Sequence, residues 1–234
     1  MLENLEKSHG ISKIQLLREI IELEILSDLQ KQPWSKKVAF YGGTALRLAY
    51  GSPRYSEDID LICRENIAFS SFKAWMHKLP AVISSPASID DVHEKRRTLF
   101  GLVMVRQADL KHALPIKIEI YRNVKKVKLE VEPRLLKSPL SSLSPLLFVP
   151  PARALLEMKI AALHDRTKSR DLYDLWYLSQ VLKMPFLLPK KIPHFTRRDF
   201  INELQVYLPR DQYPIISFLW QTYVKASQTH QNDS

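Results

Sequence analysis

Val38-Ala39-Phe40-Tyr41-Gly42-Gly43-Thr44 and, a short turn later, Glu57-Asp58-Ile59-Asp60-Leu61-Ile62 are the two stretches on which the fold of this chain turns. Val38 to Tyr41 is a short apolar strand. Gly42-Gly43 ends it, and Thr44 to Ala49 begins a helix. A glycine pair between a strand and a helix lets backbone approach a phosphate, and the helix N-terminus offers free N–H groups and a favourable dipole. Thr44 adds a hydroxyl. A purely structural strand-to-helix turn would read the same way. Neither the Walker pattern nor the dinucleotide glycine fingerprint is present.

The second stretch is sharper. Asp58 and Asp60 stand at i and i+2 of a strand, so both carboxylates share one face, while Ile59 and Leu61 point into the core. Two acids so close repel unless a cation holds them, and hard oxygen donors suit Mg²⁺. The alternative is an exposed edge with two solvated acids, but Asp is poor in strands. A third carboxylate is expected on a neighbouring strand. Ile116-Lys117-Ile118-Glu119-Ile120-Tyr121 alternates, with the isoleucines on one side. Glu119 is the candidate and Lys117 its charge partner; an ordinary amphipathic strand is the alternative.

Working outward, residues 11–30 read as an amphipathic helix with Ile14, Leu17, Ile21 and Ile25 on one face. Residues 67–79 read as a helix, Leu99 to Val105 as a strand, and Val127 to Val131 as a further strand. Ser138 to Pro151, rich in Ser and Pro, reads as a linker. Helical patterns follow at 152–164, 170–182, about 197–208 and about 214–227. The expectation is an α+β domain over 1–137 with a mixed sheet, then an all-α bundle over 150–234. Within the first helix of that bundle, Lys159 falls inside the apolar stripe of Leu155, Ile160 and Leu163, so it must snorkel to solvent or meet an anion. A triphosphate would serve. Asp171 begins the next helix, where it suits capping or the orientation of Lys159. Arg54 and Ser56 are placed to brace the loop before the acids, and Arg54 is equally suited to pair with Glu57.

The chain has 234 residues, 45% hydrophobic and 26% charged, enough for a sizeable core. No apolar run approaches the roughly 20 residues of a membrane span. Met1 to Gly10 lacks the apolar stretch of a signal peptide. A single cysteine, Cys63, excludes an internal disulfide. These features point to the cytoplasm. The formal net charge of +10 points to an anionic partner. It is spread over Lys36-Lys37, Lys95-Arg96-Arg97, Lys125-Lys126 with Lys128, Arg166 with Lys168 and Arg170, Lys190-Lys191, and Arg197-Arg198. Each cluster alone suits a solvated surface; together they suit phosphates along a nucleic acid.

Gly42-Gly43-Thr44-Ala45-Leu46, Arg54-Tyr55-Ser56-Glu57-Asp58-Ile59-Asp60-Leu61, and the later Lys159 with Arg170-Asp171-Leu172-Tyr173-Asp174-Leu175 resemble the motifs of the AbiEii/AbiGii nucleotidyltransferase toxin family, which includes the MenA-like toxins. The resemblance covers roughly 38–63 and 150–178 well and 116–121 more loosely. Glu119 stands where Asp is also common. The resemblance implies a polymerase-β-type nucleotidyltransferase fold with a helical C-terminal part. It implies transfer of a nucleotide from an NTP to an acceptor, which for some members is the 3′ end of tRNA, and a cognate antitoxin. Asp58, Asp60 and Glu119 would then hold Mg²⁺ (or Mn²⁺). Gly42, Gly43 and Thr44 would hold the phosphates, with Arg54, Ser56 and Lys117 beside the substrate. Lys159 would neutralise charge on the pyrophosphate side, and Asp171 would orient it or the acceptor. Transfer to a small molecule or a protein, and a non-catalytic RNA- or protein-binding module, are the alternatives.

Overall fold

The computed structural model describes residues 6–7, 10–108, 110–122, 129–189 and 192–232. The chain forms two compact units. One comprises Lys13–Gly51 with Tyr55–Pro151; the other comprises Met1–Ser12, Ser52–Arg54 and Ala152–Ser234.

The first unit is built on a five-stranded mixed sheet. Its strands are β1 (Val38–Tyr41), β2 (Asp58–Cys63), β3 (Ala87–Glu94), β4 (Thr98–Val105) and β5 (Leu114–Tyr121), in the order β1-β2-β5-β4-β3. Only β2 and β5 run parallel; the other neighbours are antiparallel. Among the described residues of this unit are three α-helices: α1 (Lys13–Lys31), α2 (Gly42–Tyr50) and α3 (Phe69–Lys78). One sheet face is dry, with Ile59, Leu61, Leu99, Val103, Ile116, Ile118 and Ile120 fully buried. Phe72, Trp75 and Met76 of α3 belong to the same core, and Trp75 donates its indole N–H to Asp28 of α1 at 2.9 Å. The other sheet face carries the polar alternates, as the pattern of β5 predicts.

Three elements depart from the sequence reading. α1 is not one-sided: Ile14 is exposed, whereas Gln15, Arg18, Glu19 and Glu22 are buried. Their spacing puts these four on one stripe of the helix, and the stripe is paired inside the unit. Arg18 reaches Glu57 at 3.1 Å, and Arg47 reaches Glu19 at 2.7 Å. Strand β3 is absent from that reading, because Asp90, Asp91 and Glu94 are unfavourable in strands; as an edge strand it leaves those acids in solvent. The Ser/Pro-rich stretch contains strand β7 (Leu146–Val149), which pairs with β6 (Glu132–Leu135). Its apolar run Leu146-Leu147-Phe148-Val149 is masked by the surrounding prolines. The strand expected at Val127 to Val131 lies partly outside the described residues, as do Lys125, Lys126, Lys128, Lys190 and Lys191.

The second unit holds α4 (Ala152–Asp165), α5 (Ser169–Val181), α6 (Arg197–Tyr207) and α7 (Tyr213–Asn232). Leu163, Leu172, Tyr173, Leu175, Phe200, Leu204, Leu219 and Tyr223 form its core. The Thr196 hydroxyl accepts from the Asp199 N–H and so caps α6. Among the described residues no helix is long and apolar enough to cross a membrane.

Glu22 is the costly member of the α1 stripe. It is 1% exposed, and its Oε1 has no hydrogen-bond partner among the described residues. Burial pushes its carboxyl pKa well up; Arg18 opposes this, while Glu19, Asp58 and Glu57 reinforce it. The folded chain therefore binds this proton more tightly than the unfolded chain. Its contribution to stability is complete below about pH 4.5 and declines as pH rises through the raised folded value. Glu22→Gln is expected to stabilise the protein by at least about 1 kcal/mol at pH 8 and by less at pH 5. Denaturant midpoints of both proteins at the two pH values check this; an equal effect at both would refute it.

Candidate active site

The acids meet because β2 and β5 are parallel neighbours in register. Asp58 lies opposite Lys117, and Asp60 lies opposite Glu119. All four side chains are on the polar face of the sheet, each partly exposed. The Lys117 ammonium sits between two of the carboxylates, 3.2 Å from Asp58 Oδ2 and 3.0 Å from Glu119 Oε2. Burial draws the Lys117 pKa down, but Asp58 and Glu119 outweigh burial and hold it above its ordinary value. Among the described residues no three Asp, Glu, His or Cys side chains already close into a metal cage. An ammonium stands between two of these carboxylates and keeps them compatible.

Gly42 is locked to Asp60. Its φ is +84°, and a Cβ placed there would lie 2.5 Å from Asp60 Oδ2. The glycine is thus required twice, by a left-handed backbone and by the carboxylate against its Cα. Gly43 follows at the start of α2, where backbone N–H groups lack intrahelical partners. Thr44 differs from expectation. Its hydroxyl donates 2.6 Å to the Asp58 carbonyl oxygen, and the residue is 1% exposed. The hydroxyl fixes the start of β2 and is not available to a phosphate. Ser56 is half-buried, at the entry to β2.

Arg54, Lys159 and Asp171 come together in the second unit. Arg54 pairs with Asp174, 2.7 Å from Nε to Oδ1 and 2.9 Å from Nη2 to Oδ2, and Glu57 meets Arg18. Lys159 Nζ lies 2.9 Å from Asp171 Oδ1 and 2.6 Å from Asp174 Oδ2. Arg166 closes the chain of charges on Asp171, with Nε at 2.8 Å. The anion that Lys159 meets is therefore internal. Asp171 does not cap α5: the helix follows Lys168, which makes no side-chain cap, and the Asp171 carboxylate turns to Lys159 and Arg166. Both aspartates are fully buried. Burial pushes Asp171 up, but Lys159 and Arg166 prevail and bring its pKa down to about 2. Sequence reasoning misses Asp174; its place one turn after Asp171 is the available signal. Glu22, whose pKa burial raises with nearby acids, Asp58 among them, adding to the rise, is hidden in the sequence by the apolar residues around it.

A parallel pair of strands carrying three carboxylates thus lies beside a glycine turn that opens a helix. Two solved structures share the fold. JHP933 from Helicobacter pylori aligns over 95% of this chain and 98% of its own, at 20% identity and a TM-score of 0.55. A candidate nucleotidyltransferase from H. pylori aligns over 73% of this chain and 70% of its own, at 24% identity and a TM-score of 0.54. The family model of the nucleotidyl transferase AbiEii toxin, of type IV toxin–antitoxin systems, matches residues 24–206. The chain belongs to that family and is a nucleotidyltransferase. None of the curated proteins compared matches it.

Removing Lys159 leaves each of two buried carboxylates with one cation in place of two, so Lys159→Met is expected to cost about 3 kcal/mol of stability, read from the denaturant midpoint. Because the Asp171 pKa falls from 3.8 to about 2 on folding, that aspartate contributes about 2 kcal/mol above pH 4. The contribution is lost as pH drops toward 2. The variant should therefore show a shallower loss of stability between pH 4 and pH 2 than wild type. An unchanged midpoint and an unchanged acid slope would mean that the network is not a brace.

Proposed function

We propose that Asp58, Asp60 and Glu119 are the catalytic acids of this nucleotidyltransferase. They would hold divalent metal, Mg²⁺ or Mn²⁺, for transfer of NMP from an NTP to RNA, with the 3′ end of tRNA as the favoured acceptor. The observation that carries this reading is the in-register meeting of the acids on β2 and β5 around a cationic group. A site that already holds an ammonium among its carboxylate oxygens has the donor chemistry for a hard cation. Such ions, when bound, neutralise the triphosphate and lower the pKa of the acceptor hydroxyl.

The residues of the chain do the rest. Gly42 lets the Asp60 carboxylate lie against the backbone, and Thr44 anchors Asp58 through its carbonyl. The N–H groups at the start of α2, beginning at Gly43, receive the terminal phosphates. Lys117 keeps Asp58 and Glu119 together before substrate arrives, then serves as a point charge for the triphosphate. Ser56 shapes the turn into β2. Arg54, Lys159 and Asp171 act as a buried brace. In the transfer, the acceptor 3′ oxygen forms a bond to the α-phosphorus as the bond from that phosphorus to the β-bridging oxygen breaks. Pyrophosphate leaves with the electron pair, and the hydroxyl proton goes to Glu119 or water. Positioning and electrostatics supply nearly all of the acceleration in such reactions.

The net charge of +10 supports RNA over a small molecule. Membership of the AbiEii family supports a cytoplasmic toxin with a cognate antitoxin. A nucleotide added to the tRNA 3′ end occupies the hydroxyl to which the amino acid attaches, so each transfer disables one tRNA molecule.

Incubating the protein with each labelled NTP, Mg²⁺ and total cellular RNA should label RNA, and Asp60→Asn should reduce labelling to background while melting like wild type. Wild-type rates in the variant would remove Asp60 from the site; label on small molecules alone would replace RNA as acceptor. In a bacterial host, induction of wild type should arrest growth while Asp58→Asn at matched protein level should not. Equal growth of the two strains would sink the toxin reading, and equal arrest would detach toxicity from transfer.

A further inference from the structure

The polar face of the sheet continues past the acids. Register places Tyr41 beside Asp60, Asp60 beside Glu119, Glu119 beside Phe100, and Phe100 beside His93. One row thus crosses all five strands, and Phe100 stands about one strand spacing, roughly 4.8 Å, from Glu119. The β4 residues on this face are Thr98, Phe100, Leu102 and Met104, none of them fully buried, while Leu99, Val103 and Val105 on the other face are. An apolar strip therefore faces outward next to the catalytic acids.

Phe100 is part of a built group. The His93 ring stacks on it with centroids 4.7 Å apart and planes inclined by 22°. His93 is itself fixed through Nδ1, 2.9 Å from Asp91 Oδ2. Lys95 Nζ lies 4.9 Å from the Phe100 centroid. Lys95, Arg96 and Arg97, all exposed, form the turn that joins β3 to β4. Tyr121 is exposed on the same face, opposite Thr98. Aromatic rings interleaved with cations are how single-stranded nucleic acid is held without reading its sequence: bases stack on the rings and the backbone follows the charge.

We propose that the His93–Phe100 stack is the platform for the 3′-terminal base of a single-stranded RNA acceptor, with the Lys95-Arg96-Arg97 turn holding the phosphates on its 5′ side. The inference rests on the reading of Asp58, Asp60 and Glu119 as the catalytic acids. The ribose bearing the reactive hydroxyl is attached directly to the stacked base. A base on Phe100 therefore brings that hydroxyl over the neighbouring strand, where Glu119 stands. The base takes the place of the Lys95 ammonium, which is then available to the adjacent phosphate. Charge complementarity selects the occupant: a polyanion with π faces fits both halves of the patch, whereas an acidic protein surface uses only the cations.

The test combines binding of a fluorescent single-stranded RNA oligonucleotide with transfer kinetics for wild type, Phe100→Leu and Phe100→Trp. Leucine keeps the apolar bulk and removes the ring; tryptophan keeps a ring, so it remains informative if the leucine variant fails to fold. Phe100→Leu is expected to weaken RNA binding about tenfold. It should raise KM for RNA in step and leave KM for NTP unchanged. Phe100→Trp should bind RNA at least as well as wild type. The salt slope of Phe100→Leu should match wild type, while Arg96→Ala with Arg97→Ala should flatten it by about 0.7 for each phosphate left unneutralised. RNA binding by Phe100→Leu within about twofold of wild type, or an equal loss in Phe100→Trp, would overturn the platform alone. Wild type that labels no RNA at all would overturn the acceptor reading and the platform with it.

Discussion

Like charges on neighbouring strands are the constraint around which the first unit is arranged. Asp58, Asp60 and Glu119 are fixed side by side by the parallel pairing of β2 with β5, in a sheet whose other pairings are antiparallel. Backbone hydrogen bonds do not relieve carboxylate repulsion, so other groups must. Lys117 does so directly, by bridging Asp58 and Glu119. Gly42 does so sterically, by leaving room for the Asp60 carboxylate where any side chain would collide. The ladder, the lysine and the glycine belong to one solution of one electrostatic problem.

The same problem reaches into α1. A helix buried along a stripe containing Arg18, Glu19 and Glu22 is expensive unless each charge is matched. Arg18 reaches Glu57, next to Asp58 in the chain, and Arg47 reaches Glu19. Glu22 Oε1 has no hydrogen-bond partner among the described residues, and burial raises its pKa, with Glu19 and Asp58 adding to the rise. Burying a carboxyl in this way costs local stability.

In the helical unit the charges are resolved by closure instead of exposure. Arg54, Asp174, Lys159, Asp171 and Arg166 form an alternating series in which every carboxylate meets two cations. Two of these residues, Lys159 and Asp171, have the look of active-site groups in the sequence, because a lysine in an apolar stripe demands an anion. The anion is provided by the protein itself.

The sequence determined the strand–glycine–helix turn, the shared face of Asp58 and Asp60, the alternation that offers Glu119, and the helices of the second unit. These follow from periodicity and backbone chemistry that act over a few residues. It did not reveal β3, whose acids oppose strand formation locally and are tolerated only at an edge, nor β7, an apolar run hidden among prolines. It did not show that Arg54 meets Asp174, 120 residues away. It proposed a free Thr44 hydroxyl, which the Asp58 carbonyl takes. Only tertiary structure decided that Lys117 bridges two acids and that Phe100 stands beside Glu119. Register between strands distant in sequence is set by packing of their apolar faces, and no local pattern encodes which residue will lie across from which.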